Sequence, residues 1–164
     1  MKKVIARQAH EFSSFLPSDA NILILGSFPS VKSREQGFYY MHPQNRFYKV
    51  LSEIFQEDFY SCSIEEKKIL LAKHHIALYD VIASCDIIGS SDESIENVEP
   101  IHLRDILENY PIQHIYLNGK KAAEMFKKYL GEYVNLITEL PSTSPANCRY
   151  SLKDLVHEWK VIKK

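Results

Sequence analysis

Cysteine is scarce in this chain, and its three copies, Cys62, Cys85 and Cys148, stand far apart with no CxxC pair among them. That excludes a disulfide framework and the common zinc sites, and leaves them as small buried hydrophobes. Long apolar runs are also missing. The longest, such as Ile22 to Leu25, fall far short of the roughly 20 residues that span a bilayer, and the N-terminus has no signal-type apolar region. A cytoplasmic protein that engages no membrane is therefore expected. Nor does charge of one sign dominate. A formal net charge of −1 is too balanced for a protein that coats many phosphates, yet it admits a nucleic-acid binder with a small footprint.

What is present is enough for one core. At 164 residues and 45% hydrophobic content, residues 1–164 fit a single domain. Apolar β-favouring runs alternate with helical periodicity, the pattern of an α/β domain with a mainly parallel sheet. Four strands are predicted, at Asn21 to Ser27, His75 to Ile82, His114 to Gly119 and Val134 to Ser142. Their near-continuous hydrophobicity suits strands covered on both faces. Phe47, Val50, Leu51, Ile54 and Phe55 follow i, i+3, i+4, i+7, i+8 spacing, as amphipathic helices do. Similar spacing marks Leu103 to Tyr110, Ala122 to Tyr129 and Leu152 to Trp159. Ser63 with Glu66 and Ser151 with Asp154 read as capping boxes at helix starts. The stretch from Cys85 to Pro100, rich in Ser, Asp and Glu without a basic residue, reads as a solvated acidic loop.

Ligands of open α/β sheets bind at the carboxyl ends of the strands. That rule selects "GSFPS" with the loop running on to Asn45, the region after Ile82, "NGKK" at Asn118 to Lys121, and "PSTSPAN" at Pro141 to Asn147. The stretch "YYMHPQNRFY", Tyr39 to Tyr48, crowds four aromatic rings around a histidine, a proline, an asparagine and an arginine. Pro43 suits the first turn of a helix. Asn45 is then expected in that turn, with its carboxamide beside unsatisfied backbone amides at the positive end of the helix dipole. Tyr39 and Tyr40 lie outside the core periodicity. Either ring can seal the loop against the domain or face a flat ligand.

The blocks "LILGSFPS…GFYYMHPQNRFYKVL", "YDVIASCDIIGSSDESI", "IYLNGKKAAEMF" and "LPSTSPAN" together resemble, in order, the signatures of the hypoxanthine-DNA (deoxyinosine) glycosylase family. That family is a branch of the uracil-DNA glycosylase superfamily. The resemblance implies a three-layer α/β/α sandwich with a short, mainly parallel four-stranded sheet, and cleavage of the N-glycosidic bond of a deaminated base in DNA. Where mismatch-specific uracil glycosylases carry a water-activating asparagine after the first strand, this chain has Phe28. The hypoxanthine-type branch similarly lacks it and relies on the asparagine of the HPxNxF block, here Asn45. The resemblance gives Asn118 a role in base recognition or catalysis. It aligns Tyr40 with the aromatic that stacks on the base, with Phe28 as the second candidate.

These residue types suit the chemistry. Loss of the base leaves an oxocarbenium-like sugar, and a carboxamide that orients water supplies proximity without a strong base. Backbone amides near Gly26 and Ser27, with the Asn118 side chain, can hydrogen-bond the leaving base. A base reaches such a pocket only by leaving the stack, and an aromatic face repays part of that cost. Ser142, Thr143 and Ser144 read as the loop that holds phosphates. His42 and Arg149 are further DNA-binding candidates. Where many superfamily members insert an apolar wedge, only Ala146, Asn147, Cys148 and Arg149 stand here. No metal or other cofactor is needed. Lys32 and Lys120 are the conceivable Schiff-base nucleophiles, but nothing around them in sequence suggests activation. A monofunctional, monomeric glycosylase with DNA as its partner is expected.

Two other classes share parts of this pattern. A hydrolase of free nucleosides or nucleotides needs the flat pocket without the phosphate-holding loop. A non-catalytic module for damaged DNA needs no water-orienting residue. The base itself, whether hypoxanthine, uracil or xanthine, depends on donors and acceptors that sequence does not position.

Overall fold

The computed structural model describes residues 6–10, 14–89 and 91–163. Ile22–Gly26 forms strand β2, and all five of its residues are buried, as a central strand covered on both faces requires. It pairs in parallel with β3 (Ile76–Asp80) on one side and β6 (His114–Asn118) on the other. β7 (Ile137–Leu140) continues the sheet beyond β6, giving the order β3-β2-β6-β7. The alternation of side chains along each strand divides the core. Leu23, Leu25, Ala77, Ile115 and Leu117 face one cluster, and Ile22, Ile24, Ile76, Leu78 and Tyr116 face the other. The first cluster is closed by α4 (Leu103–Asn109) and α5 (Lys120–Tyr129), the second by α2 (Phe47–Phe55), α3 (Ile64–Lys73) and α6 (Leu152–Trp159). This is the expected α/β/α sandwich.

A second, small sheet adds to it. β1 (Ala6–Ala9), β4 (Ile82–Ile87) and β5 (Glu96–Pro100) pair antiparallel in the order β1-β4-β5. The Cys85–Pro100 stretch is thus a correction to the sequence reading, because much of it is paired strand with Cys85, Ile87 and Ile95 buried in the core. Glu96 and Glu99 are exposed on β5, so composition described one face of a half-buried ribbon. The predicted strand from His75 to Ile82 is likewise two strands that part at Val81. The predicted strand from Val134 begins only at Ile137, after a 3₁₀ segment at Gly131–Leu136. α1 (Val31–Gln36) was not predicted; Ser30 caps it by accepting from the Ser33 N–H.

The capping signals fare differently from one another. Ser151 and Asp154 form a full reciprocal box that starts α6. At α3, Ser63 accepts the Glu66 N–H, while the Glu66 carboxylate accepts from the Ser63 hydroxyl instead of the backbone. No helix among the described residues is long and apolar enough to cross a membrane.

Candidate active site

The chain leaves β2 for β3 on one side and later adds β6 on the other, so the topological switch lies between β2 and β6, where ligands of open sheets bind. A cleft of about 300 Å³ opens there. Its walls come from the segment after β2 (Gly26 to Ser30), the loop before α2 (Tyr39, Tyr40, His42, Asn45), the ends of β3 and β6 (Asp80, Asn118), and the loop after β7 (Ser142 to Ala146). The structure thereby brings together Gly26, Ser27, Phe28, Tyr40, His42, Asn45, Asn118, Ser142, Thr143 and Ser144. Arg149 alone of the candidates stands apart. It is exposed and lines a neighbouring groove with Lys120, Lys121, Asn147 and Glu158.

Asn45 is not in the first helical turn. Residues 42–45 form a turn closed by the Asn45 N–H donating to the His42 carbonyl at 2.9 Å, and α2 begins only at Phe47. Pro43 therefore stiffens a turn rather than starting the helix. Asn45 still serves the helix end, because its Oδ1 accepts the Phe47 N–H at 2.9 Å. The same oxygen accepts the Thr143 hydroxyl at 2.9 Å. Thr143 is 0% exposed; its N–H donates to Asn118 Oδ1 and its Oγ1 accepts from Asn118 Nδ2, both at 3.0 Å.

Two backbone N–H groups fix the direction of this chain, since neither can do anything but donate. The Thr143 N–H forces Asn118 to present Oδ1 to it and Nδ2 to the hydroxyl, and the hydroxyl proton then goes to Asn45. With Oδ1 of Asn45 engaged twice, Nδ2 is the end of that side chain able to meet a ligand. The Thr143 hydroxyl, expected to face phosphate, is instead consumed inside the protein. Ser142 and Ser144 also spend hydroxyl acceptors locally, on the Ser144 and Ala146 N–H groups at 3.1 Å each. The backbone of this loop thus supplies its shape. His42 accepts the Gln44 N–H at Nδ1, which stabilises the turn and leaves the imidazole on the cleft wall.

Arg46, which the sequence reading passed over, ties the loop before α2 to the loop after β7. Its N–H donates to the Thr143 carbonyl at 3.0 Å, and its guanidinium donates to the carbonyls of Ser144, Asn147 and Tyr150. Trp159 of α6 donates to the Pro141 carbonyl at 2.8 Å, anchoring the start of the same loop.

The aromatic residues separate by role. Tyr39 is 1% exposed and seals the core, with its carbonyl accepting from the Tyr48 hydroxyl. Tyr40 holds a left-handed backbone, φ 59°, a strained state for a non-glycine that the packing must enforce. Its ring lies against Phe47 at 4.1 Å between centroids and 30° between planes. Its hydroxyl is buried without a hydrogen bond among the described residues. Burial, and then the Asp80 carboxylate, push the Tyr40 pKa well up, with the nearby Asn118 carboxamide opposing them. Tyr39 is raised by the same two causes in the same order. Phe28 is buried, with the Arg34 guanidinium 5.6 Å above its ring.

Asp80 also lines the cleft and was missed, as was its partner His10, whose Nε2 lies 2.8 Å from Asp80 Oδ2. Asp80 is the lone acid closing an apolar strand, a signal visible in "IALYD". His10 lies 70 positions away, and nothing in sequence pairs them.

The uracil DNA glycosylase superfamily model matches residues 13–164. The hypoxanthine DNA glycosylase of Methanosarcina acetivorans is 32% identical over 152 residues, covering 92% of this chain and 95% of the relative. That of Methanosarcina barkeri is 32% identical over 151 residues, covering 90% and 93%. A solution NMR structure from Methanosarcina acetivorans, named as a uracil DNA glycosylase, superposes with a TM-score of 0.78 at 29% identity, covering 93% of this chain and 97% of that one.

Proposed function

The chain belongs to the uracil DNA glycosylase superfamily and is a DNA glycosylase, and from this premise we propose that its cleft takes hypoxanthine swung out of DNA. Asn45 and Asn118 carry the chemistry. The observation that supports this is the directed chain Asn118 to Thr143 to Asn45, which holds both carboxamides on the cleft wall and leaves Asn45 Nδ2 as the end able to meet a ligand.

In an N-glycosidic cleavage the C–N bond runs ahead of attack, so a cationic sugar takes up any water held in line. An amide N–H that holds water by its oxygen positions the nucleophile without deprotonating it, and positioning is the larger part of the task. The leaving base gathers negative charge at the same time. The polar backbone of the Gly26–Phe28 segment and the amide of Asn118 are the fixed dipoles on the cleft wall that meet it. Tyr40, braced by Phe47, offers the base a stacking face. The 142–147 loop, held by Arg46, carries the DNA strand through backbone and rim groups, and Arg149 and Lys120 extend the contact into the neighbouring groove. Attack by a positioned water leaves an abasic site without a covalent intermediate.

The test is abasic-site formation on duplexes carrying hypoxanthine, uracil, xanthine or an undamaged base, with wild type and Asn45→Ala. Release of hypoxanthine, its loss in Asn45→Ala with abasic-DNA binding retained, and no borohydride-trapped adduct are expected. Full activity in Asn45→Ala would overturn the assignment.

A further inference from the structure

Arg46 stands next to Asn45 in the chain, and both residues bond the loop after β7. They meet at Thr143. Its hydroxyl donates to Asn45 Oδ1 at 2.9 Å, its carbonyl accepts the Arg46 N–H at 3.0 Å, and its own N–H donates to Asn118. The place of Thr143 therefore sets where the Asn45 carboxamide is held. Thr143 in turn depends on the rest of its loop. Residues 144–150 close on themselves through short-range bonds, the Asn147 N–H to the Ser144 carbonyl at 3.0 Å and Asn147 Nδ2 to the Ser142 carbonyl at 2.9 Å. Those bonds shape the loop without fixing it to the domain.

Among the described residues, the hydrogen bonds that fix residues 144–150 to another element all come from Arg46. Its guanidinium donates to the carbonyls of Ser144 at 3.1 Å, of Asn147 at 2.9 Å and of Tyr150. The acceptors recur at every third residue, so the loop is wrapped round one planar fork. The fork has a firm base, because Arg46 opens α2 with its carbonyl accepting the Val50 N–H at 2.9 Å, and Phe47 beside it is fully buried. Arg46 holds this place against two costs. A cation at the positive end of a helix is disfavoured. No carboxylate pairs with it among the described residues, and its Nε is buried without a hydrogen bond, so its desolvation is met by backbone carbonyls alone.

We propose that Arg46 is a positioning residue for base release and acts through Asn45. By clamping residues 144–150 to the start of α2, it joins the loop that carries the DNA strand and the carboxamide that holds the water into one rigid unit. This rests on the glycosylase reading above. The strand fixes where the sugar lies, and Asn45 Nδ2 fixes where the water lies. Their relative placement decides the rate, since a misplacement of about 1 Å can cost on the order of 100-fold. A clamp that moves both together preserves that placement whenever the strand is seated.

The test is a double-mutant cycle, read as single-turnover release of hypoxanthine at saturating duplex. Arg46→Lys keeps the charge but reaches the carbonyls from a single point instead of a planar fork. In the wild-type background it should slow release about 10- to 100-fold, while affinity for abasic duplex stays within about threefold because the charge is kept. In the Asn45→Ala background it should add less than about threefold, because the group it positions is gone. Equal slowing in both backgrounds would mean that Arg46 only supports the fold, and would overturn the proposal. A loss of abasic-duplex affinity as large as the loss of rate would also overturn it. Should Arg46→Lys fail to fold by circular dichroism, amide hydrogen exchange of the wild type decides. Slow exchange of the Asn147 N–H, present without DNA and unchanged by abasic duplex, supports the clamp; protection that arises only with DNA refutes it. A wild-type chain that releases no base from any duplex sinks the glycosylase reading itself, and this one with it.

Discussion

The Thr143 hydroxyl donates to Asn45 Oδ1 at 2.9 Å from a fully buried position, joining residues 98 apart in sequence. Without it the Asn45 carboxamide has one anchor, the Phe47 N–H, and can rotate about the bond that aims Nδ2. Thr143→Val keeps the shape and removes the hydroxyl. Stability should fall by about 1–3 kcal/mol, since Asn118 Nδ2 loses a buried partner. Base release should slow at least tenfold, while Thr143→Ser recovers most of both. Thermal melts and single-turnover rates check this.

Asn45→Asp separates donor from acceptor roles. The substituted carboxylate can still accept from Phe47 and Thr143, but its free oxygen cannot donate. If Asn45 acts through Nδ2, the aspartate variant is as slow as Asn45→Ala, down by about 10²–10³ as for loss of a positioned donor. Retention of wild-type rate in Asn45→Asp would instead assign the water to an acceptor.

Tyr40→Phe and Tyr40→Ala should diverge. The buried hydroxyl has no hydrogen bond among the described residues, and removing an unsatisfied polar group is neutral or stabilising. Tyr40→Phe should melt at or above wild type and keep most activity. Tyr40→Ala removes the stacking face, worth about 1–3 kcal/mol per base, and should cost roughly 10- to 100-fold in base release at subsaturating DNA.

Gly26→Ala tests the close approach over the floor. Its Cβ meets Asp80 Oδ1 at 2.6 Å and the Tyr40 hydroxyl at 3.3 Å, and Asp80 is clamped by His10. Overpacking at such a point costs about 1–3 kcal/mol. A denaturant midpoint lowered by that free energy divided by the m-value, with activity lost in the folded fraction, is expected.

Acid stability has a named contributor far from the cleft. Hydrogen bonds from His74, and then from Lys73, hold the Glu57 carboxyl below its ordinary value of 4.5. A lowered folded-state pKa means that the unfolded chain takes the proton first, so the stabilisation is present above about pH 4.5 and lost as pH falls through the folded value. Glu57→Gln should show a shallower loss of melting temperature between roughly pH 5 and 3 than wild type.

Sequence alone determined the layers and the walls of the cleft. Continuous apolar runs dictate strands buried on both faces, the 3.6 period dictates which helix face covers them, and the loops at the strand ends follow from that chain order. Asn45, Asn118 and Tyr40 were legible because each stands in a local motif. What tertiary structure decided is every relation across distant positions. These are the direction of the Asn118–Thr143–Asn45 chain, the burial of Thr143 inside a loop that reads as polar, the hold of Arg46 on residues 144–150, and the pairing of Asp80 with His10. Local sequence sets backbone preference and amphipathicity, whereas a hydrogen bond's partner and polarity depend on where two remote backbones come to rest. The Cys85–Pro100 ribbon shows the same limit, since one strand of alternating exposure resembles a loop until its partner strand is in place.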